Sequence, residues 1–136
     1  MTMESPNILI VDDHAMFRAL FRSMIEKLPL ASRILEAGDG ESAVQLAKKH
    51  TFDLIFMDIA MPGLSGIEAM RRILRESPKM KVIMVTVLAK HSFVEESLAA
   101  GASGYLIKKH IHEELAIAVE KVLNNESFIG KGIQDL

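Results

Sequence analysis

Five short apolar runs punctuate the chain: NILIVDD (7–13), SRILEA (32–37), DLIFMD (53–58), KVIMVTV (81–87) and GYLIKK (104–109). SRILEA is the weakest. In the others, successive residues are apolar instead of alternating with polar ones, which is the pattern of a strand buried on both faces. Helical stripes separate the runs. Residues 14–28 carry Phe17, Leu20, Phe21, Met24 and Leu28; residues 41–50 carry Val44, Leu46 and Ala47; residues 65–75 carry Ile67, Met70, Ile73 and Leu74. Residues 91–100 carry Val94 and Leu98, with Gly101 as a stop, and residues 112–123 carry Leu115, Val119, Val122 and Leu123. These spacings place the apolar residues on one face of each helix.

Strand and helix therefore alternate five times. Such alternation predicts an α/β fold with a parallel sheet covered on both faces. A doubly wound five-stranded sheet with five helices fits, and the flavodoxin-like order 2-1-3-4-5 is one common solution. Helical periodicity stops near Asn124-Asn125. One domain over 5–124 is expected, with 125–136 (NESFIGKGIQDL from Asn125 on) as a C-terminal tail or the start of an interdomain linker, not another core unit.

The 136 residues suit a single domain, and 49% are apolar, enough for a real core. The net charge of −2 and the absence of a basic stretch give no general attraction to nucleic acid. The chain has no cysteine, which excludes disulfides and thiolate metal sites and fits a reducing compartment. No apolar run has the length of a bilayer span, and the N-terminus lacks a signal peptide's apolar segment. The expectation is a soluble cytoplasmic domain without a membrane partner.

The chemistry is written at the strand ends. In this architecture ligands bind outside the carboxyl ends of the strands, where strand order reverses. The first strand ends in Asp12-Asp13, the third in Asp58, the fourth near Thr86 and the fifth in Lys108. Strands 1 and 3 flank the switch point, so the three carboxylates would crowd one pocket. Like charges at that distance need a cation, and Mg²⁺ suits a few carboxylates together with a phosphate oxygen. Lys108 adds a point charge and Thr86 a hydroxyl, each fit to meet a phosphoryl oxygen. The set suggests phosphoryl transfer with Asp58 as nucleophile. Met61-Pro62-Gly63 turns the chain away and leaves room for a ligand.

The pieces ILIVDDH (8–14), FMDIAMPGLSG (56–66), VIMVT (82–86) and GASGYLIKK (101–109) resemble, in order and spacing, the receiver domain of two-component response regulators. The resemblance implies that Asp58 is the phosphoacceptor and that Asp12, Asp13, Asp58 and the backbone carbonyl of Ala60 hold Mg²⁺. It implies that Thr86 is the hydroxyl that moves toward the phosphoryl group, that Lys108 pairs with that group, and that Tyr105 is an aromatic switch. The phosphodonor would be a sensor histidine kinase. The domain would not be an enzyme but a phosphoacceptor that assists its own phosphorylation and dephosphorylation. VDDHAMFRALFRSMI and GASGYLIKK are most similar to receivers fused to a LuxR-type helix-turn-helix DNA-binding domain. The implied output is a changed surface on the fourth helix, fifth strand and fifth helix, controlling receiver homodimerisation or such a DNA-binding domain. DNA would be reached only through that domain. A free-standing receiver acting through protein contacts is the alternative. Val87, where the family usually has a smaller residue, and Ala60, where it often has a larger or polar one, are the expected tuning positions for phosphoryl lifetime.

Blander readings attach to each residue alone. Asp12 or Asp13 would serve as a helix cap, Thr86 as a β-former, Lys108 as a solvated charge and Tyr105 as packing. His110 and His112 form an H-x-H pair, with no cysteine and with no acid at ligand spacing that the helix start does not explain. A phosphohydrolase would need a substrate cap, for which there is no insertion. An FMN site would need phosphate-binding Ser, Thr or Gly after the first strand, where Asp12-Asp13-His14 stands instead. A degenerate, scaffold-only receiver is a further alternative, kept open by Val87.

Overall fold

The computed structural model describes residues 6–30 and 32–134. The expected domain start at Ser5 and the last two residues of the tail lie outside them. The order is β1 (Asn7–Val11), α1 (Ala15–Glu26), β2 (Arg33–Ala37), α2 (Gly40–Lys49), β3 (Leu54–Met57), α3 (Gly66–Glu76), β4 (Lys81–Thr86), α4 (His91–Ala99), β5 (Gly104–Ile107), a 3₁₀ turn (Lys108–His110), α5 (Ile111–Leu123) and β6 (Phe128–Ile129). All strand pairs are parallel, in the order β2-β1-β3-β4-β5-β6. The fold is thus flavodoxin-like, with five α-helices among the described residues, but there the sheet has six strands where the sequence reading expects five.

Sheet residues alternate between two cores. Leu9, Val11, Ile55, Met57, Val82, Met84 and Tyr105 face α2, α3 and α4 through Val44, Ala47, Ile67, Met70, Ile73 and Val94. Ile8, Ile10, Leu54, Phe56, Ile83, Val85 and Leu106 face α1 and α5 through Phe21, Ile25, Leu115, Ala118, Val119 and Val122. Because both faces are covered, β1, β3 and β4 are apolar at every inner position. In β2, at the edge, Arg33 and Leu35 are exposed, which explains why its sequence signal is weak.

The sixth strand comes from the segment expected to be a tail. Helix α5 ends with the Asn125 N–H donating to the Val122 carbonyl and the Glu126 N–H to the Lys121 carbonyl, a Schellman closure. Asn125, at φ 65°, occupies the left-handed position that closure needs. The chain then reverses and lays Phe128 and Ile129 against Gly104 and Tyr105. Two residues between NES and a glycine are too short for a strand period to show.

Register sets the rim. Val11 pairs with Met57, and Ile107 pairs with Thr86. The next residues, Asp12, Asp58 and Lys108, therefore emerge at one edge. The Asp58 N–H donates to the Val11 carbonyl at 3.0 Å, continuing the ladder through the acid itself.

After β3 the chain turns through Gly63, at φ +80°, and comes back over Asp58. Gly66 opens α3, with Ser65 as its cap, and donates its N–H to the Ile59 carbonyl at 3.0 Å. A Cβ on Gly66 would lie 1.8 Å from the Asp58 carbonyl oxygen, so only glycine fits this return. Gly66→Ala is expected to destabilise the fold by on the order of 3 kcal/mol, read as a lower urea midpoint at unchanged slope.

Candidate functional site

Asp12 and Asp58 are nearly buried, at 1% and 4% exposure, and Thr86 is fully buried. Ligand atoms of Asp12, Asp13, His14 and Asp58 all lie within 4.8 Å of one another. Lys108 Nζ bridges the two buried acids, 2.6 Å from Asp12 Oδ2 and 3.4 Å from Asp58 Oδ2. It also sits 4.2 Å above the centroid of the Phe17 ring, whose face favours a cation. The 3₁₀ turn after β5 brings Lys108 inward, while Lys109 is exposed.

Helix capping does not account for the acidic pair. The residue before α1 is His14, which makes no side-chain cap bond. Its N–H instead donates to Asp12 Oδ1 at 2.8 Å, and its Nδ1 lies 3.3 Å from both Asp12 Oδ1 and Asp13 Oδ1. Asp13 Oδ1 is buried with no hydrogen-bond partner among the described residues, the approach of His14 lacking bonding geometry. A buried, unpartnered carboxylate oxygen beside two more carboxylates is a hard-oxygen donor set of the kind that fits Mg²⁺.

Burial dominates Asp58 and raises its carboxyl above the usual aspartate range. The Lys108 charge pulls the other way, the Asp12 charge reinforces burial, and bonds from Thr86 and the Ile59 N–H lower it in part. Thr86 Oγ1 accepts the Leu88 N–H at 3.3 Å, and the Tyr105 hydroxyl donates to the Leu88 carbonyl at 2.7 Å. Tyr105 is fully buried, and its phenol is pushed up to about 12, first by burial and then by the Asp58 charge. It is therefore bonded to the main chain beside the site, not half-exposed packing.

The remaining expected positions are more peripheral. Ala60 is exposed at the start of the loop after Asp58. Val87 is 67% exposed, its side chain outside the core that buries Thr86. His110 and His112 diverge. The His110 ring lies against Gly132 and near Glu113, whereas His112 lies by Leu20 and Met24 of α1, and among the described residues neither joins a group of metal ligands.

Sequence reasoning missed the brace behind Asp12. Arg18 Nη1 donates to the Asp12 carbonyl at 2.5 Å while its Nε bonds Glu36 Oε1 at 3.0 Å. Arg22 Nε bonds Glu36 Oε2 at 2.7 Å and its Nη2 the Ile34 carbonyl at 2.9 Å. Glu36 is held below the usual glutamate range, chiefly by the Arg22 hydrogen bond against some burial, with Arg18 adding to it. An Arg at i and i+4 on α1 facing a lone acid of an edge strand was the only available signal.

Residues 8–120 match the family model described as the response regulator receiver domain. The chain is 35% identical over 127 residues to the response regulator UvrY of Escherichia coli (strain K12), covering 93% of this chain and 58% of that protein. It is 34% identical over 126 residues to the response regulator GacA of Pseudomonas aeruginosa, covering 93% and 59%. The chain thus spans less than three fifths of the length of these curated relatives. Among solved structures, a LuxR-family two-component response regulator from Aurantimonas sp. SI85-9A1 superposes with a TM-score of 0.89 at 33% identity, covering 96% of this chain and 93% of that one. No helix among the described residues is long and apolar enough to cross a membrane.

Two pH effects follow. Because its folded pKa is raised, Asp58 stabilises the fold below the ordinary aspartate range, and that contribution is lost as pH rises through the raised value. In metal-free neutral buffer Asp58→Asn should therefore melt several degrees higher than the parent, the gain vanishing in strong acid. Glu36 has the opposite sign: its contribution is present above the ordinary glutamate range and lost as pH falls through the lowered value. Glu36→Gln should lower the melting temperature at neutral pH and leave it unchanged in strong acid.

Proposed function

Because the chain belongs to the response regulator receiver family, we propose that Asp58 accepts a phosphoryl group and that the domain acts as a phosphorylation-operated switch. Receiver domains are signalling proteins, and the observation that carries this reading is the convergence of Asp12, Asp13 and Asp58 around Lys108.

An Asp58 carboxylate oxygen attacks the phosphorus of a phosphohistidine on a sensor kinase. An O–P bond forms, the P–N bond breaks, and its electron pair leaves on the imidazole nitrogen. Mg²⁺, held by Asp12, Asp13, Asp58 and the Ala60 carbonyl, would neutralise phosphoryl charge when bound. The chain's own residues do the rest. Lys108, which stands between Asp12 and Asp58, turns its ammonium to a phosphoryl oxygen. Thr86 donates its hydroxyl hydrogen to another oxygen. Phe17 keeps the ammonium stem on the site side. Val87 and Ala60 stand where water approaches the acyl phosphate and tune its lifetime. Both phosphorylation and loss of the phosphoryl group are thereby assisted within the domain.

The receiver domain begins at 5 and its last helix ends by 124, and 125–136, whose Phe128 and Ile129 pair with β5, is a tail packed on the sheet or the start of an interdomain linker. Tyr105 and the α4–β5–α5 surface respond to the phosphoryl group, and the output is receiver homodimerisation or control of a LuxR-type DNA-binding domain. The name "transcriptional regulatory protein" of a Brevibacillus brevis relative, 36% identical over 122 residues, supports an output in transcription. The setting is cytoplasmic, and DNA is reached only through the output domain.

Acetyl phosphate with Mg²⁺ should add the mass of one phosphoryl group, read by intact-mass spectrometry. Asp58→Asn and chelation of the metal should each abolish the gain, and Lys108→Ala should slow it on the order of a hundredfold. Continuous release of phosphate from small phosphoesters would instead indicate a hydrolase.

A further inference from the structure

Beyond β5 the chain doubles back on itself from Phe128 to Gln134. The Phe128 N–H donates to the Ser103 carbonyl at 3.1 Å, the Gly130 N–H to the Tyr105 carbonyl at 2.8 Å, and the Gln134 N–H to the Ala89 carbonyl at 2.7 Å. The His91 N–H returns a bond to the Gln134 carbonyl at 2.8 Å. This segment therefore follows the free edge of β5 and ends on the loop that joins β4 to α4. Ile133 packs on the core that contains Tyr105 and Ile107.

The inner anchor is Glu114, which is 9% exposed. Its Oε2 accepts the Lys131 N–H at 2.9 Å, but its Oε1 is buried with no hydrogen-bond partner among the described residues. The Lys131 ammonium also pairs with Glu113. Gly130 and Gly132 let the backbone come this close: a Cβ on Gly130 would lie 2.4 Å from Glu114 Oε1, and one on Gly132, at φ +95°, would lie 2.9 Å from His110 Cδ2. The fastening is complete in its backbone bonds but leaves half of a buried carboxyl group unsatisfied, a cost that water recovers when the segment lifts.

The same loop reaches the phosphoacceptor site. Leu88 gives its N–H to Thr86 Oγ1 and takes the Tyr105 hydroxyl on its carbonyl, and the next residue, Ala89, holds Gln134. Asp58 is 4% exposed and Thr86 is fully buried, so a phosphoryl group added to Asp58 must recruit the Thr86 hydroxyl within a closed pocket. The residues beside Thr86 that lie outside helix and strand are Val87 to Lys90.

We infer that Phe128–Gln134 is a strap closed over the β5 edge, and that a phosphoryl group on Asp58 releases it by displacing the Leu88–Ala89 backbone. This rests on the phosphoacceptor reading above. Strap closure and any partner docked on the α4–β5–α5 surface exclude one another, because the strap occupies that edge. The start of the linker is in this way part of the switch, and its state reports the state of Asp58.

Hydrogen–deuterium exchange on the full chain in Mg²⁺, with and without acetyl phosphate, tests this, with intact mass read on the same sample. In the phosphorylated chain the amides of Phe128, Gly130, Lys131 and Gln134 are expected to exchange at least about tenfold faster, with β1 and β3 amides unchanged as a fold control. Unchanged strap amides in a chain that has gained the phosphoryl mass overturn the strap and leave the phosphoacceptor reading standing. If no phosphoryl mass is gained, that reading fails, and Thr86→Val decides the strap alone. This variant keeps the side chain's shape but removes the acceptor of the Leu88 N–H. Faster exchange at Gln134 and His91 in Thr86→Val upholds the tie between pocket and strap, and unchanged exchange overturns it.

Discussion

Two buried carboxylates share one ammonium, and most of the site follows from that imbalance. Asp12 and Asp58 stand one residue past the ends of adjacent strands with almost no access to water, and Lys108 bridges them. Their mutual repulsion in a poorly solvated place is relieved only in part, and Asp13 brings a third acid with an unbonded oxygen. A protein holds such groups together only if the backbone leaves them nowhere else to go. The ladder bond from Asp58 to Val11, the Arg18 bond to the Asp12 carbonyl and the close return of Gly66 over Asp58 supply that constraint. Carboxylates left without full compensation make the rim a place where a cation would be favourable.

The same economy links the site to the far edge of the sheet. Thr86 closes β4, and Leu88 ties it to Tyr105 on β5. Tyr105 in turn carries Gly130 on its carbonyl. A displacement of one loop main chain therefore touches a hydroxyl beside Asp58, a buried phenol and the segment after α5 together. No long-range wire is needed: the contacts are consecutive hydrogen bonds within the loop and the strand beside it.

What the sequence could show depends on how local each feature is. The inner strands were legible because burial on both faces makes every residue apolar, and Asp12, Asp58, Thr86 and Lys108 stood out because each closes such a run. Lys108 in fact begins a 3₁₀ turn one residue past β5, a difference too small to move it from the rim. The sixth strand was not legible, since Phe128 and Ile129 gain their pairing from the α5 closure at Asn125 and not from any pattern of their own. The Arg18–Glu36–Arg22 brace and the half-bonded Glu114 were hidden for a related reason. Each pairs residues far apart in sequence, and charged residues on a helix read as a solvated face until the fold places them.

The rim also explains why this topology need not hold a nucleotide. A flavodoxin-like sheet that binds a phosphate-bearing cofactor needs donors after its first strand, since a phosphate is an acceptor of hydrogen bonds. Here that position offers Asp12 and Asp13, and the His14 N–H is already bonded to Asp12 Oδ1. An anion arriving alone would meet these acids, and a cation held by them would reverse the charge it meets. The sheet decides where a ligand would sit, and the sign of the charge at the ends of β1 and β3 decides which ligand it is.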